Sequence, residues 1–155
     1  MIIVYRIVDK RYEREALTGD GAKEYPGRWN PKGTPVVYAS ASRALAVLEL
    51  FVHLGDEGKD KEYVFIPLII PDFLAITTLT ANNLLPGWNV DPVPSYTQNL
   101  GGKWIARGRT AILKVPSTVV PGDCNYVLNV RHPDFAEVTT LPAEPFFYDP
   151  RMWGK

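Results

Sequence analysis

Residues 27–55 read GRWNPKGTPVVYASASRALAVLELFVHLG, and the order of patterns inside them sets the architecture of the chain. A loop carrying Arg28, Trp29 and Asn30 leads into a short β-type run, Pro35 to Ser40, with Val36, Tyr38 and Ser40 on one face. A helix is expected from Ser42 to Leu54. Ser42 has the chemistry of an N-cap, and Gly55 that of a residue just past the helix end. The helix is apolar on nearly every side, a pattern that predicts burial. Glu49 lies in its middle, between Ala46-Val47-Leu48 and Leu50-Phe51-Val52. A buried carboxylate is costly unless something pairs with it, so the rest of the chain must supply a partner.

The composition narrows what that partner can be. With 155 residues the chain is long enough for one domain, spanning 1–155, with its own core. The formal net charge is zero, which argues against a broad electrostatic footprint for nucleic acid or an anionic membrane. Fourteen prolines and twelve glycines predict many turns and short strands rather than a helical bundle. Cys124 is the sole cysteine, in keeping with a reducing compartment. The start, MIIVYRIVDKRYERE, lacks a basic segment followed by a clean apolar one, so no signal peptide is expected. The most apolar later run, Val64 to Ile76, is interrupted by Pro67, Pro71 and Asp72 and is too short to span a bilayer. A soluble cytoplasmic protein is the expectation.

Working outward from the central stretch, Ile2 to Val8 alternates as a strand, with Val4, Arg6 and Val8 on one face. Arg6 reads either as an arginine whose stem packs while its head reaches water, or as an anion ligand at the floor of a cleft. Asp9 to Glu24 reads as a charged loop with one short helical turn at most. Tyr63 to Ile70 and Phe73 to Thr78 are strand-like, and Pro67 predicts a bulge or an edge in the first. Leu84 to Thr97 reads as a long loop, a candidate lid. Gly101-Gly102-Lys103 lacks the spacing of a phosphate loop and reads as a turn before an amphipathic segment. Ala111 to Val115, Asn125 to Val130 and Phe135 to Thr140 are further strands, and Pro145 to Pro150 a last edge strand. The sum is an α+β domain with a mixed, mostly antiparallel sheet of six to eight short strands and few helices.

Several kinds of chemistry can be weighed on these residues. Two histidines and one cysteine offer no zinc-type ligand spacing, so no metal site is expected. A cysteine hydrolase built from Cys124, Asp123 and His132 is conceivable, but a small buried cysteine is the commoner outcome. His53 could bond Glu49 one turn away or sit at the helix end. A glycosidase needs two carboxylates, and only Glu49 is set among apolar residues. What remains is Glu49 with two arginines in candidate cleft positions, Arg6 and Arg28, together with Tyr38, Ser117 and Asn125. Arginine suits phosphate oxygens, and one carboxylate among such arginines fits chemistry at a ribose carbon of a phosphorylated sugar. Trp29 and Arg28 also have a plain reading as a core cap and a surface partner. Ser117 and Asn125 have one as a turn serine and a strand-end cap.

At these residues the chain resembles the RES-domain family, toxin components of bacterial toxin–antitoxin pairs. The resemblance runs through Tyr5-Arg6-Ile7, Gly27 to Pro31, Val37-Tyr38, the Leu45–Leu54 helix, Val115-Pro116-Ser117, Asn125-Tyr126, Asn129 to Phe135 and Pro145 to Arg151. The family's namesake arginine, glutamate and serine fall on Arg28, Glu49 and Ser117. Asp123 stands where the pattern has glutamate, which keeps the charge. The resemblance implies a fold similar to ADP-ribosyltransferases and an activity that destroys NAD+, with phosphate, water or a protein as acceptor. NAD+ is then a substrate, inorganic phosphate a co-substrate, and no cofactor is implied. It also implies Glu49, Arg28 and Tyr38 as the catalytic set, with Arg6, Arg28, Tyr38, Ser117 and Asn125 binding substrate. The implied partner is a helix-turn-helix, Xre-like antitoxin that blocks the cleft, with no direct contact to nucleic acid or membrane. A homodimer is compatible with the sequence.

Overall fold

The computed structural model describes residues 1–154. Eight strands, β1 (Ile2–Asp9), β2 (Val36–Ser40), β3 (Tyr63–Ile70), β4 (Ile76–Thr78), β5 (Ile112–Pro116), β6 (Cys124–Asn129), β7 (Thr139–Thr140) and β8 (Glu144–Phe146), form one sheet. Their spatial order is β4-β5-β6-β2-β1-β3-β7, with β8 also beside β3. Every pairing is antiparallel except β4 with β5. The α-helices are α1 (Asp20–Glu24), α2 (Arg43–Phe51) and α3 (Ser95–Arg107), joined by several short 3-10 turns. Among the described residues no helix is long and apolar enough to cross a membrane.

Strand alternation sends side chains to two separate cores. One face holds Val4, Val37, Ala39, Val64, Ile66, Leu68, Ile112 and Leu128, covered by Ala16, Leu74 and the turns around Phe135. The other holds Val36, Leu113, Val115 and Val127 under Trp29 and Trp104. β1 runs beside β3 in unbroken register from Ile2↔Ile70 to Asp9↔Tyr63, yet meets β2 at the single pair Tyr5↔Ser40. The sheet is therefore split between β1 and β2. Arg6 sits at this seam, where its Nη1 donates to Tyr38 O (3.1 Å) and its Nε to Ala16 O (2.7 Å).

Pro67 lies neither at a bulge nor on a free edge. β7 pairs with Leu68 and Ile69 and β8 with Tyr63 to Phe65, so Pro67 falls in the gap between two short neighbours, where its missing N–H leaves no ladder bond unmade. Phe135 to Thr140, expected as a strand, is mostly a 3-10 turn (Pro133–Glu137), with only Thr139–Thr140 paired. The Gly101-Gly102 segment, expected as a turn, lies inside α3. A Cβ on Gly101 would overlap the Trp29 carbonyl group, so glycine is what lets this helix lie directly on the Arg28–Asn30 loop. Gly108, with φ of 60°, ends the helix in the left-handed conformation.

α2 is capped as expected: Ser42 Oγ accepts from Leu45 N at 3.1 Å. It ends at Phe51, and Gly55, with φ of −91°, starts a separate turn rather than closing the helix. The expected all-round burial is also corrected. Leu45 and Ala46 face the sheet and are 2% exposed, whereas Val52 is 57% exposed. The C-terminal segment braces the outer side of α2 along its length. Glu144 pairs with Arg43, Tyr148 Oη donates to Val47 O (2.6 Å), and the Phe51 ring meets those of Tyr148 and Trp153.

Candidate active site

Glu49 is half-buried and faces the ends of β5 and β6. Ser117, just past β5, donates from Oγ to Glu49 Oε2 at 3.3 Å. Asn125, at the start of β6, donates from Nδ2 to the same oxygen. Both donors are themselves fixed. Ser117, 3% exposed, accepts at Oγ from Val119 N (3.1 Å) and Val120 N (3.0 Å). Asn125 Oδ1 accepts from Ser40 Oγ at 2.7 Å, across the β2–β6 register pair Ser40↔Asn125. Among the described residues nothing donates to Glu49 Oε1. One oxygen of the carboxylate is anchored and the other is free.

Arg28 and Tyr38 come from the loop before β2 and from β2 itself. Arg28 Nη1 donates to Trp88 O and Val90 O, both at 2.9 Å, and so ties the 84–94 segment to the site. The segment expected as a lid is held here, with Trp88 packed 6.1 Å from Trp29. Burial lowers the pKa of the Arg28 guanidinium, while Asp91, Glu49 and Tyr38 act electrostatically to raise it. Among the described residues only Nη1 is engaged, so Nη2 and Nε remain to meet an anion. The Tyr38 hydroxyl donates to Asn30 Oδ1 (2.6 Å) and accepts from Trp29 N (3.0 Å). Burial pushes that hydroxyl above the usual phenol range, and the Trp29 bond and Arg28 only partly oppose it. Its proton is therefore committed to the loop, and the ring is the part left to face a ligand.

Asn30 organises this loop, a role that pattern reading did not assign to it. It is fully buried; its Oδ1 also accepts from Gly27 N (2.9 Å), and its Nδ2 donates to Ala22 O (2.8 Å). The sequence signal was an asparagine between Trp29 and Pro31, a residue type that bonds local backbone in turns.

Arg6, expected among the substrate ligands, is directed to the sheet face opposite the one that carries Ser40 and Asn125. Tyr5 pairs with Ser40 and shares its face with Ser40 and Asn125, so Arg6, the next residue, projects to the opposite face. Its Nε and Nη1 are taken by two carbonyls at the seam, and burial lowers its pKa to about 10. Ser117 and Asn125 are brought to the site, but their polar atoms grip Glu49 instead of standing free. Neither arginine forms an ion pair with Glu49 among the described residues. His53 is exposed past the end of α2. His132 bonds Gly108 O and Asp134 N beyond the far end of β6 from Cys124, which separates the members of a cysteine hydrolase triad. Among the described residues no three His, Cys, Asp or Glu side chains are grouped to hold a metal ion.

The chain is 38% identical over 148 residues to a protein of Sphingobium sp. (strain YBL2) named Prs ADP-ribosylating toxin, covering 94% of this chain and 92% of that one. It is 36% identical over 152 residues to a protein of Yersinia enterocolitica named Toxin Res, covering 97% and 99%. A solved structure, the M. tuberculosis MbcT-MbcA toxin-antitoxin complex, contains a chain of like fold. The TM-score is 0.75 at 18% identity, over 98% of this chain and 86% of that one. The model of the RES domain matches residues 3–149, nearly the entire length, and the chain belongs to the RES-domain family.

Proposed function

We propose that this chain is the toxin of a toxin–antitoxin pair and that it cleaves the nicotinamide–ribose bond of NAD+, with phosphate or water as acceptor. The observation that carries the reading is the Glu49 carboxylate, held through Oε2 by Ser117 and Asn125 with Oε1 open. Nicotinamide leaves with the electrons of its bond to the ribose C1′, which neutralises the pyridinium, so departure needs no strong acid. Positive charge then develops on the ribosyl carbon. A fixed carboxylate oxygen stabilises that charge and accepts a hydrogen bond from a ribose hydroxyl without reorganising. The acceptor oxygen bonds C1′ and loses its proton to solvent. The free Arg28 nitrogens suit the diphosphate, and the Tyr38 ring offers a stacking face.

Relatives named as toxins support the toxin assignment, and a fold neighbour solved in a toxin-antitoxin complex supports a protein antitoxin as partner. By the resemblance in sequence that partner is a helix-turn-helix protein. Transfer of ADP-ribose to a protein is a second reading, favoured by the name of the Sphingobium relative.

The test is nicotinamide release from NAD+ by purified protein in phosphate buffer, in phosphate-free buffer and with a protein acceptor present. Glu49→Gln keeps an oxygen for Ser117 and Asn125 but loses the charge. It is expected to lower turnover by about 10²–10³-fold with an unchanged melting temperature. Wild-type protein that releases no nicotinamide under any of the three conditions refutes the proposal. A Glu49→Gln protein as active as wild type refutes the role of the carboxylate.

A further inference from the structure

Two chains of hydrogen bonds end on the same oxygen of Glu49. In one, the backbone N–H groups of Val119 and Val120 occupy Ser117 Oγ, which turns its proton toward Oε2. In the other, Ser40 Oγ donates to Asn125 Oδ1, which turns Nδ2 toward Oε2. The second chain contains a choice that the first does not. The two ends of an asparagine amide have nearly the same shape but opposite hydrogen-bonding character. Turned over, Asn125 would present an acceptor to the carboxylate, and two oxygens would face each other. The acceptor-only carboxylate selects the Nδ2 end from its own side, and Ser40, donating to Oδ1 from the other, holds the amide in that sense and in that place.

We propose that Ser40 is a positioning residue for the reaction: by donating to Asn125 Oδ1 it steadies the amide that pins Glu49 Oε2 and leaves Oε1 to the substrate. Ser40 is 4% exposed and is the register partner of Asn125 in the sheet, so its hydroxyl does not reach the ligand and acts only at second hand. The place where β1 and β2 separate adds to this. Tyr5↔Ser40 is the last point at which the two halves of the sheet are paired, so Ser40 is held from both sides while the chain beyond it diverges. A glutamate side chain has several rotatable bonds, and holding it from one oxygen removes freedom that would otherwise be lost on meeting the substrate.

The inference takes its catalytic consequence from the NAD+-cleaving reading, and the experiment separates the two. Nicotinamide release is measured for wild type, Ser40→Ala, Ser40→Thr, Asn125→Ala and the Ser40→Ala/Asn125→Ala double variant, alongside the side-chain amide signals of Asn125 by NMR. Ser40→Ala is expected to lower kcat about tenfold with KM within about twofold of wild type. Ser40→Thr, which keeps the hydroxyl, restores kcat. In the Asn125→Ala background, Ser40→Ala adds no further loss, because its effect runs through the missing amide. The Asn125 amide proton directed at the carboxylate resonates downfield and exchanges slowly in wild type, and loses both properties in Ser40→Ala. Unchanged amide signals in Ser40→Ala overturn the proposal, as does a full additional loss in the double variant. Where wild type releases no nicotinamide the NAD+ reading falls, and the amide spectrum alone decides what Ser40 does.

Discussion

Replacing Gly101 by alanine tests how the Arg28 loop is held in place. In most helices this change is favourable by about 1 kcal/mol, since glycine is the costlier residue in a helix interior. Here the added methyl would stand 2.5 Å from the carbonyl carbon of Trp29 and closer still to its oxygen. Ordinary contact needs roughly 3.4 Å, so the carbon alone requires α3 and the loop to part by about 1 Å, and the oxygen requires more. The atoms in conflict are backbone on both sides, and no rotamer change relieves them. Overpacking of this kind costs about 1–3 kcal/mol beyond the propensity gain. At this chain length that is a fall in melting temperature of roughly 3–10 °C. Gly102 supplies the control, being one residue away in the same helix. A Cβ there meets only the Pro31 ring at 3.4 Å, an ordinary contact. Gly102→Ala should therefore raise the midpoint by the propensity term alone. The assay is urea and thermal unfolding of both variants beside wild type. Opposite signs at adjacent glycines support the close approach, and a Gly101→Ala protein as stable as Gly102→Ala refutes it.

Two further outcomes follow from the site. Tyr38→Phe removes the hydroxyl that joins Asn30 Oδ1 to Trp29 N and leaves that N–H without its partner. The urea midpoint should drop by the equivalent of about 1–3 kcal/mol with unchanged slope, and an unchanged midpoint would show that the loop does not depend on this bond. Burial raises the Tyr38 and Tyr148 hydroxyls above the ordinary phenol value of 10.0. The folded chain thus holds these protons after the unfolded chain has released them. Their contribution to stability is complete below pH 10 and is lost as pH rises beyond it. Arg6, lowered to about 10, works in the opposite sense over the same range, so net stability is the wrong readout. Phenolate absorbance is the right one. The folded titration should lag that of the urea-unfolded chain, and coincident curves would contradict the burial of these rings.

Much of the sheet was legible because strand alternation is a local property: β1, β2, β3 and β6 lie where apolar periodicity placed them. The pairing of β2 with β6 was not legible. Ser40 and Asn125 are 85 residues apart, and nothing local says that they meet. α3 was missed because glycine speaks against helix, and Gly101 is there for contact with Trp29 rather than for a turn. α2 was read as buried from its apolar residues, but apolar content does not forbid exposure, and Leu48 and Val52 remain at the surface. Arg6 shows the limit most clearly. Its face of β1 was read correctly, but the side of the sheet on which the site would form depends on where α2 packs. Glu49, Arg28 and Ser117 were singled out as a set by family resemblance, and the fold explains why spacing alone could not do so. One comes from a helix, one from the loop before β2, and one from the end of β5.

The placement of β6 between β2 and β5 has a consequence for the order in which the protein becomes competent. During synthesis Arg28, Tyr38 and Glu49 emerge early, within the first third of the 155 residues. Ser117 follows only after about three-quarters of the 155 residues and Asn125 after about four-fifths, and β6 must then slot into the middle of the sheet. A truncated or half-made product therefore carries the carboxylate without its anchors. On the NAD+-cleaving reading proposed above, the hazard would be confined to molecules in which β6 has been made and seated.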